Sequence, residues 1–166
     1  MLRLALFTTL IACVVAAHAD QLAGRVVKVA DGDTITILDT SNTQHKIRLS
    51  GIDAPERKQT FGDRSRQALA DAVAGREVVI DWNKRDRYKR IVGKVLVSGQ
   101  DINLQQVRNG MAWHYKKYEN EQDVEDRSRY ANAEYEAQRD RVGLWRNKDP
   151  VAPWQYRQEK KLSSLR

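Results

Sequence analysis

Cysteine is almost absent from this sequence, and histidine and proline are scarce. The 166 residues include one cysteine, three histidines and three prolines. The cysteine, Cys13, lies within an N-terminal stretch that we expect to be removed from the mature protein. That protein would then contain no disulfide, no thiolate nucleophile and no zinc site built on sulfur. We interpret His45 and His114 as surface or turn residues rather than metal ligands.

The sequence also lacks an apolar run long enough to cross a membrane. The run from Leu4 to Ala17 is too short and wrongly flanked for a membrane span. Arg3 before it and Ala17-His18-Ala19 at its end predict a signal peptide over residues 1–19. Two alternatives remain: a buried N-terminal helix, and a lipoprotein cleavage box at Leu10-Ile11-Ala12-Cys13. We expect a periplasmic or secreted protein without stable membrane insertion.

Acidic residues are outnumbered by basic ones. The 29 lysines and arginines against 22 aspartates and glutamates give a net charge of +7 and a pI near 9.6. Such a balance favours a polyanionic partner, nucleic acid first and an anionic membrane surface second. The length fits one domain with a sizeable core, which we place at residues 20–148.

Hydrophobic spacing predicts a mixed fold of class α+β. Alternating apolar residues predict strands at 24–30, 34–38, 44–52, 77–82 and 88–97. Helical spacing predicts helices at 61–74, 103–108 and 124–142. We therefore expect a five-stranded OB-type β-barrel with about three helices, although another α+β sandwich stays possible. Residues 149–166 are charged, carry two prolines and are expected to form a partly ordered tail.

A short β-rich stretch contains three acidic residues and one arginine that are candidates for a site: Asp33, Arg48, Asp53 and Glu56. Asp33 follows a turn and Asp53 ends a strand, so their carboxylates can converge on one hard cation. An arginine fork matches two phosphate oxygens, and a spare carboxylate can act on water as a general base. A second candidate phosphate clamp follows at Asp86–Arg90. Together these residues predict a phosphodiesterase site, although the D-G-D-T turn alone would be explained by turn formation.

The two motifs resemble those of a known family. DGDTITI, ten intervening residues and then RLSGIDAPE resemble the first signature of the staphylococcal nuclease (thermonuclease) family. DRYKRIVGKV resembles the second, with Lys89 where glycine is usual and Leu96 where an aromatic residue is common. The resemblance covers roughly Ala23 to Trp145. The ending GLWRNKDPVAPWQYR looks like the C-terminal segment of exported Gram-negative members.

The resemblance implies an OB-fold nuclease that uses Ca²⁺ to cleave DNA and RNA, leaving 3′-phosphates and 5′-hydroxyls. The calcium ligands it implies are Asp33, Asp53 and the backbone carbonyl of Ala54. The catalytic residues it implies are the phosphate clamps Arg48 and Arg90 and the general base Glu56. Arg87 and Tyr88 match residues around the terminal phosphate of a bound nucleotide.

Aromatic residues suggest where the bases of a substrate would bind. The segment WHYKKY places Trp113, Tyr115 and Tyr118 around two lysines, which is typical of a stacking platform with phosphate-reaching cations. The alternative, that one or two of these rings belong to the core, stays open. Stacking on such rings would favour single strands of DNA or RNA.

Two other classes of function are compatible with parts of the sequence. A catalytically inactive nucleic-acid-binding OB module of the cell envelope would explain the charge, but such modules lose acidic or arginine positions that this chain retains. An envelope structural or anionic-lipid-binding protein would explain the charge and export but not the acidic motif. We therefore favour a calcium-dependent, sugar-nonspecific nuclease, acting as a monomer.

Overall fold

The computed structural model describes residues 20–165, so the predicted signal peptide and its cysteine lie outside the described residues. The strands are β1 (Asp20–Asp31), β2 (Thr34–Leu38), β3 (Gln44–Leu49), β4 (Ile52–Asp53), β5 (Glu77–Arg85), β6 (Ile91–Val97), β7 (Gln100–Asp101) and β8 (Trp113–His114). The α-helices are α1 (Gly62–Val73), α2 (Ile102–Arg108), α3 (Val124–Arg139) and α4 (Pro153–Ser163). Short 3₁₀ helices span Lys116–Glu121 and Gly143–Arg146. Among residues 20–165 no helix is long and apolar enough to cross a membrane.

The five long strands close into a mixed barrel, which confirms the predicted OB-type α+β fold. The sheet order is β3-β2-β1-β5-β6-β7, and a parallel pairing of β3 with β6 closes it. Strand β1 is long enough to pair with β5 through its first half and with β2 through its second. Where it passes between them, a Cβ on Gly24 would lie 2.6 Å from the Leu38 carbonyl oxygen, so glycine allows the strands to approach.

Alternating strand residues and one face of each of α1, α2 and α3 fill the barrel. Fully buried members of this core are Ile35, Ile37, Ile47, Leu49, Leu69, Val73, Ile80, Ile91 and Val107. The predicted helices correspond to α1, α2 and α3, with α3 ending three residues earlier than expected. The predicted strands correspond to the five long strands, with ends that differ by several residues. The spacing of hydrophobic residues along the sequence thus identified the core residues, because each helix and strand buries one face.

A buried asparagine holds the barrel closed. The Asn103 side chain at the start of α2 accepts from the Val95 amide at 3.1 Å and donates to the carbonyls of Gly93 at 3.1 Å and Ser50 at 3.0 Å. Ser50 follows β3, whereas Gly93 and Val95 lie on β6. Asn103 is fully buried, so these backbone groups have no water to replace it. One side chain therefore ties together the two strands that complete the barrel.

A smaller aromatic cluster lies outside the barrel and anchors the C-terminal residues. Trp113 is 7% exposed and packs with Leu144 and Ala152, while Phe61 and Trp145 border the cluster. The rings of Trp113 and Trp145 meet edge to face at 5.2 Å. This cluster leads into α4, so the segment that we expected to be a partly ordered tail contains an eleven-residue helix.

His114 differs from its predicted position at the surface. Its side chain is 1% exposed, and its Nε2 lies 2.8 Å from the Gln122 side-chain oxygen. The ring also meets Tyr130 edge to face at 5.9 Å. The short pairing of β4 with β8 draws this residue inward. His45, in contrast, is half-buried near a turn and pairs with Asp39.

We expect Asn103→Ala to destabilise the fold strongly, because it leaves two strands with unpaired buried backbone groups. The free energy of unfolding should fall by about 3 kcal/mol. Urea denaturation followed by circular dichroism measures this change. The matched control is Asn132→Ala on the exposed side of α3, which should change stability by less than about 0.5 kcal/mol. Equal stability of both variants would contradict the role assigned to Asn103.

The aromatic segment should divide into one core ring and one surface ring. Trp113→Leu removes buried ring volume and should lower the free energy of unfolding by about 3 kcal/mol. Tyr118 is 44% exposed, so Tyr118→Leu should change it by less than about 1 kcal/mol. Thermal denaturation of the two variants checks this difference. A Trp113→Leu protein as stable as wild type would show that the ring is not a packing residue.

Candidate active site

The turn between β1 and β2 is shaped by the helix that packs against it. A Cβ on Gly32 would lie 1.8 Å from Ser65 Oγ and 2.8 Å from the Ala54 Cβ, so any side chain here collides with neighbours. The Gln106 amide donates to the Gly32 carbonyl at 2.9 Å and to the Ser65 carbonyl at 3.2 Å. The glycine of the D-G-D-T motif is therefore required by close packing, and the turn that carries Asp33 is fixed in place.

Asp33 and Asp53, which the sequence analysis proposed as ligands of one cation, both contact the same arginine. Arg48 Nη2 lies 3.0 Å from Asp33 Oδ2 and donates to Asp53 Oδ1 at 2.9 Å. Asp33 also accepts from the Ala54 amide at 2.7 Å and from the Thr34 hydroxyl at 3.0 Å. Both aspartates are buried. The ends of β1 and β4 therefore bring two carboxylates to one point.

Arg48 is held inside the structure rather than extended into solvent. Its Nη1 donates to the backbone carbonyls of Leu49 at 2.9 Å and Ile52 at 3.0 Å. Together with the two aspartates these contacts use both terminal nitrogens. An arginine has five N–H donors, and none of these contacts involves Nε. In the described structure Arg48 thus organises the carboxylates and keeps one donor for a further ligand.

Glu56 lies at the edge of the same group on a tight turn. Its amide donates to the Gln59 side chain at 3.1 Å, and its carbonyl accepts from the Gln59 amide at 2.8 Å. A Cβ on Gly62 would lie 2.0 Å from the Glu56 carbonyl oxygen, so the turn rests directly on the first residue of α1. The Glu56 side chain is half-exposed. Its carboxylate is accessible to water beside the buried pair.

A second arginine, which the sequence analysis did not single out, completes the group. Arg157 of α4 donates from Nη2 to Asp53 Oδ2 at 2.7 Å and from Nη1 to Asp53 Oδ1 at 3.2 Å. The same Nη1 donates to Glu56 Oε1 at 2.8 Å. The only signal for it in the sequence was the resemblance of the ending PWQYR, which carried no role for the arginine.

Burial raises the pKa values of two aspartates in the acidic group. Burial raises the pKa of Asp53, although the hydrogen bond from Arg157 and the positive charge of Arg48 oppose the rise. Burial, together with the negative charge of Asp33, raises the pKa of Asp31 to about 6. Carboxylates that are costly to ionise without a cation nearby are typical of sites that bind one.

The second motif forms an exposed arginine–tyrosine group. Arg90 donates from Nε to Asp86 Oδ2 at 2.7 Å, and Asp86 Oδ1 accepts from the amides of Tyr88 and Arg90. Burial opposes ionisation of Asp86, but the hydrogen bonds from Arg90 outweigh it and lower its pKa. Arg87 and Arg90 lie over the Tyr88 ring at 4.8 and 5.4 Å. Lys89 has a φ of 63°, the left-handed conformation that explains why glycine is usual there.

The barrel closure brings the two motifs to neighbouring strands. In the parallel register of β3 and β6, Arg48 is paired with Val92. Arg90 lies two residues before Val92, directly ahead of β6. The strand that carries Arg48 thus lies beside the loop that carries Arg90.

The aromatic segment lies next to the acidic motif because β8 pairs with β4, with Asp53 opposite Trp113. Trp113 is buried in the aromatic cluster outside the barrel. Tyr115 and Tyr118 meet edge to face at 5.2 Å, and Lys84 and Lys117 lie over the Tyr118 ring at 5.4 and 5.6 Å. Of the three predicted platform rings, two therefore lie together away from the buried cluster. Lys117 of the same segment and Lys84 of β5 lie beside them.

The donor set fits a hard cation with oxygen ligands. A single guanidinium nitrogen already lies within 3.0 Å of both Asp33 and Asp53, so one positive charge fits between the two carboxylates. Within residues 20–165 no three side chains among His, Cys, Asp and Glu converge to hold a metal ion. Calcium takes six to eight oxygens, so backbone carbonyls such as that of Ala54, water or substrate would have to supply the rest.

Comparisons with known proteins identify the family of this chain. A family model described as "Staphylococcal nuclease homologue" matches residues 46–147. An "Uncharacterized endonuclease" of Haemophilus influenzae is 39% identical over 160 residues, covering 96% of this chain and 84% of that protein. A "Micrococcal nuclease" of Shigella flexneri is 40% identical over 147 residues, covering 83% of this chain and 82% of that protein. The chain therefore belongs to the staphylococcal nuclease family and is a nuclease.

Proposed function

We propose that this protein is a calcium-dependent, sugar-nonspecific nuclease that hydrolyses phosphodiester bonds of DNA and RNA and leaves 3′-phosphates. The observation that carries the proposal is the meeting of Asp33, Asp53 and Arg48, with Glu56 at the exposed edge. Such a group offers a cation site, positive hydrogen-bond donors and a carboxylate within reach of water. These are the parts needed to attack a phosphodiester.

The chain's own residues account for most of the chemistry. Glu56 accepts a proton from the attacking water, or orients that water, because its carboxylate is half-exposed beside the buried pair. Arg90 and the Nε–H of Arg48 donate to the phosphate oxygens on which charge increases in the transition state. Arg87 and Tyr88, both exposed, bind the terminal phosphate of the substrate.

Calcium is the cation that we assign to Asp33, Asp53 and the Ala54 carbonyl. When bound there it would polarise a phosphate oxygen and lower the cost of the added negative charge. Both side-chain ligands are carboxylates, which suit calcium better than softer metals. Burial of Asp33 and Asp53 supports the assignment, since both carboxylates gain from a nearby cation.

The substrate is assigned from charge and exposed rings. Tyr118 with Lys84 and Lys117 forms a surface on which a base can stack while the lysines reach phosphates. Stacking uses the face of any base, so the enzyme should discriminate little between sequences. Bases in a duplex are not free to stack on the protein, and we therefore propose that single strands are preferred. We also propose that the enzyme is a monomer in the periplasm or secreted from the cell.

Activity should depend on calcium. Purified mature protein is incubated with plasmid, denatured DNA and RNA in Ca²⁺, in Mg²⁺ or in excess chelator. We expect cleavage with Ca²⁺, little with Mg²⁺ because of its strict octahedral geometry, and none with chelator. Denatured DNA should be cut faster than plasmid. Full activity in chelator would contradict the metal assignment, and binding without cleavage under all conditions would indicate an inactive binding module.

Replacing the proposed general base, Glu56, or the proposed phosphate clamp, Arg90, should reduce turnover without unfolding the protein. Glu56→Gln should lower kcat about 10²–10⁴-fold. Arg90→Ala should lower it about 10²–10³-fold. Steady-state cleavage of a fluorescent single-stranded oligonucleotide provides kcat, and circular dichroism checks the fold.

Controls for these variants remove equal charges elsewhere on the surface. Glu136→Gln lies on the exposed side of α3, and Arg76→Ala lies on the exposed turn before β5. Both should retain kcat within about twofold of wild type. A Glu56→Gln enzyme as active as Glu136→Gln would exclude Glu56 as the general base.

A further inference from the structure

Helix α4 contacts the acidic site through one positively charged side chain, Arg157. Arg157 forms a two-pronged contact with Asp53, at 2.7 and 3.2 Å, and also binds Glu56 at 2.8 Å. One guanidinium therefore joins a proposed metal ligand to the proposed general base. In this arrangement it occupies one carboxylate oxygen of Glu56, Oε1, which is then less available to an attacking water.

The contact leaves no oxygen of Asp53 unengaged. Oδ2 accepts from Arg157, and Oδ1 accepts from both Arg157 and Arg48. The Asp53 side chain is 1% exposed, whereas that of Arg157 is 43% exposed. Arg157 thus covers Asp53 on the solvent side. A cation that arrives from solvent meets the Arg157 guanidinium before it reaches the carboxylate.

Helix α4 also covers Tyr115, a second ring of the predicted stacking platform, which lies beside Tyr118. The Trp154 ring stacks on Tyr115 at a centroid distance of 5.5 Å and an interplanar angle of 20°. A base cannot use that face of Tyr115 while Trp154 lies on it. The same short helix therefore occupies one position at the cation site and another at the aromatic surface.

The attachment of α4 is shallow. Pro153 is its only buried residue within the described chain, and Trp154 remains 37% exposed. The segment before it is anchored by Ala152 in the aromatic cluster and by a hydrogen bond from Gln59 to the Val151 carbonyl at 2.6 Å. Only the Arg157 side of the ion pair with Asp53 is open to solvent, since Arg157 is 43% exposed and Asp53 is buried. Few buried side chains of α4 would have to move for the helix to separate from the site while residues 151–152 stay anchored.

We propose that Arg157 is an internal occupant of the cation site, which exchanges with a divalent cation so that metal binding releases α4 and uncovers Tyr115. The proposal rests on the assignment of Asp53 as a metal ligand in the proposed function. Guanidinium and metal compete for the same carboxylate oxygens, so the apparent metal affinity is reduced by the fraction of time that Arg157 occupies them. The helix then acts as a cover that is in place when the divalent cation is scarce.

Calcium binding to the metal-free protein tests the exchange directly. Isothermal titration compares wild type with Arg157→Gln and with Lys161→Gln, which removes an equal charge one turn further along α4. We expect Arg157→Gln to lower the Kd for Ca²⁺ by about tenfold, as for a site occupied nine-tenths of the time. Lys161→Gln should leave it within about twofold. Circular dichroism verifies that all three proteins are folded.

A second measurement uses the wild-type protein alone. Hydrogen–deuterium exchange in residues 153–163 should become faster when Ca²⁺ is added, and it should already be fast in metal-free Arg157→Gln. Equal or weaker calcium binding by Arg157→Gln would overturn the proposal, as would unchanged exchange of α4 in wild type. A wild-type protein that binds no calcium would overturn the calcium assignment as well. If all three proteins cleave DNA and bind Ca²⁺ with the same Kd, the exchange of Arg157 with calcium is overturned but the proposed function is not.

Discussion

The parallel contact between β3 and β6 is the constraint on which the remaining structure depends. It is the one pairing in the barrel that joins strands distant in sequence and running in the same direction. Asn103 satisfies the backbone groups at this closure from within the core. Because β3 carries Arg48 and β6 follows Arg90, the same closure decides that the two arginine motifs are neighbours.

Electrostatics inside the acidic site follow from burial. Asp33 and Asp53 lie where water is scarce, and their negative charges are compensated by guanidinium groups of Arg48 and Arg157. Burial, with the negative charge of Asp33 as a smaller contribution, raises the pKa of the Asp31 carboxyl to about 6. A site with this balance favours an added cation or an exchange of one cation for another. The proposed affinity for a divalent cation would draw on this balance of charges.

The two arginine motifs differ in rigidity, and the difference fits their proposed roles. Arg48 donates to two backbone carbonyls as well as to Asp53, and so cannot move without breaking several hydrogen bonds. Arg90 belongs to an exposed turn, where Asp86 and the Tyr88 ring support it. In the proposed roles, Arg48 organises the carboxylates, while Arg90, which lies on a turn with its side chain 24% exposed, adjusts to an arriving phosphate. The left-handed Lys89 gives that turn its shape without a glycine.

The sequence by itself determined the strands and helices of the barrel and the residues of the acidic motif. Both signals are local: alternation and helical spacing record which face is buried, and Asp33, Arg48, Asp53 and Glu56 fall within one short stretch. Tertiary structure alone decided the burial of Trp113 and His114, because both depend on the pairing of β8 with β4. It alone placed Arg157 on Asp53, 104 residues away in sequence. No local pattern records a contact between an exposed helix and a distant strand end, since only the packed chain brings their charges together.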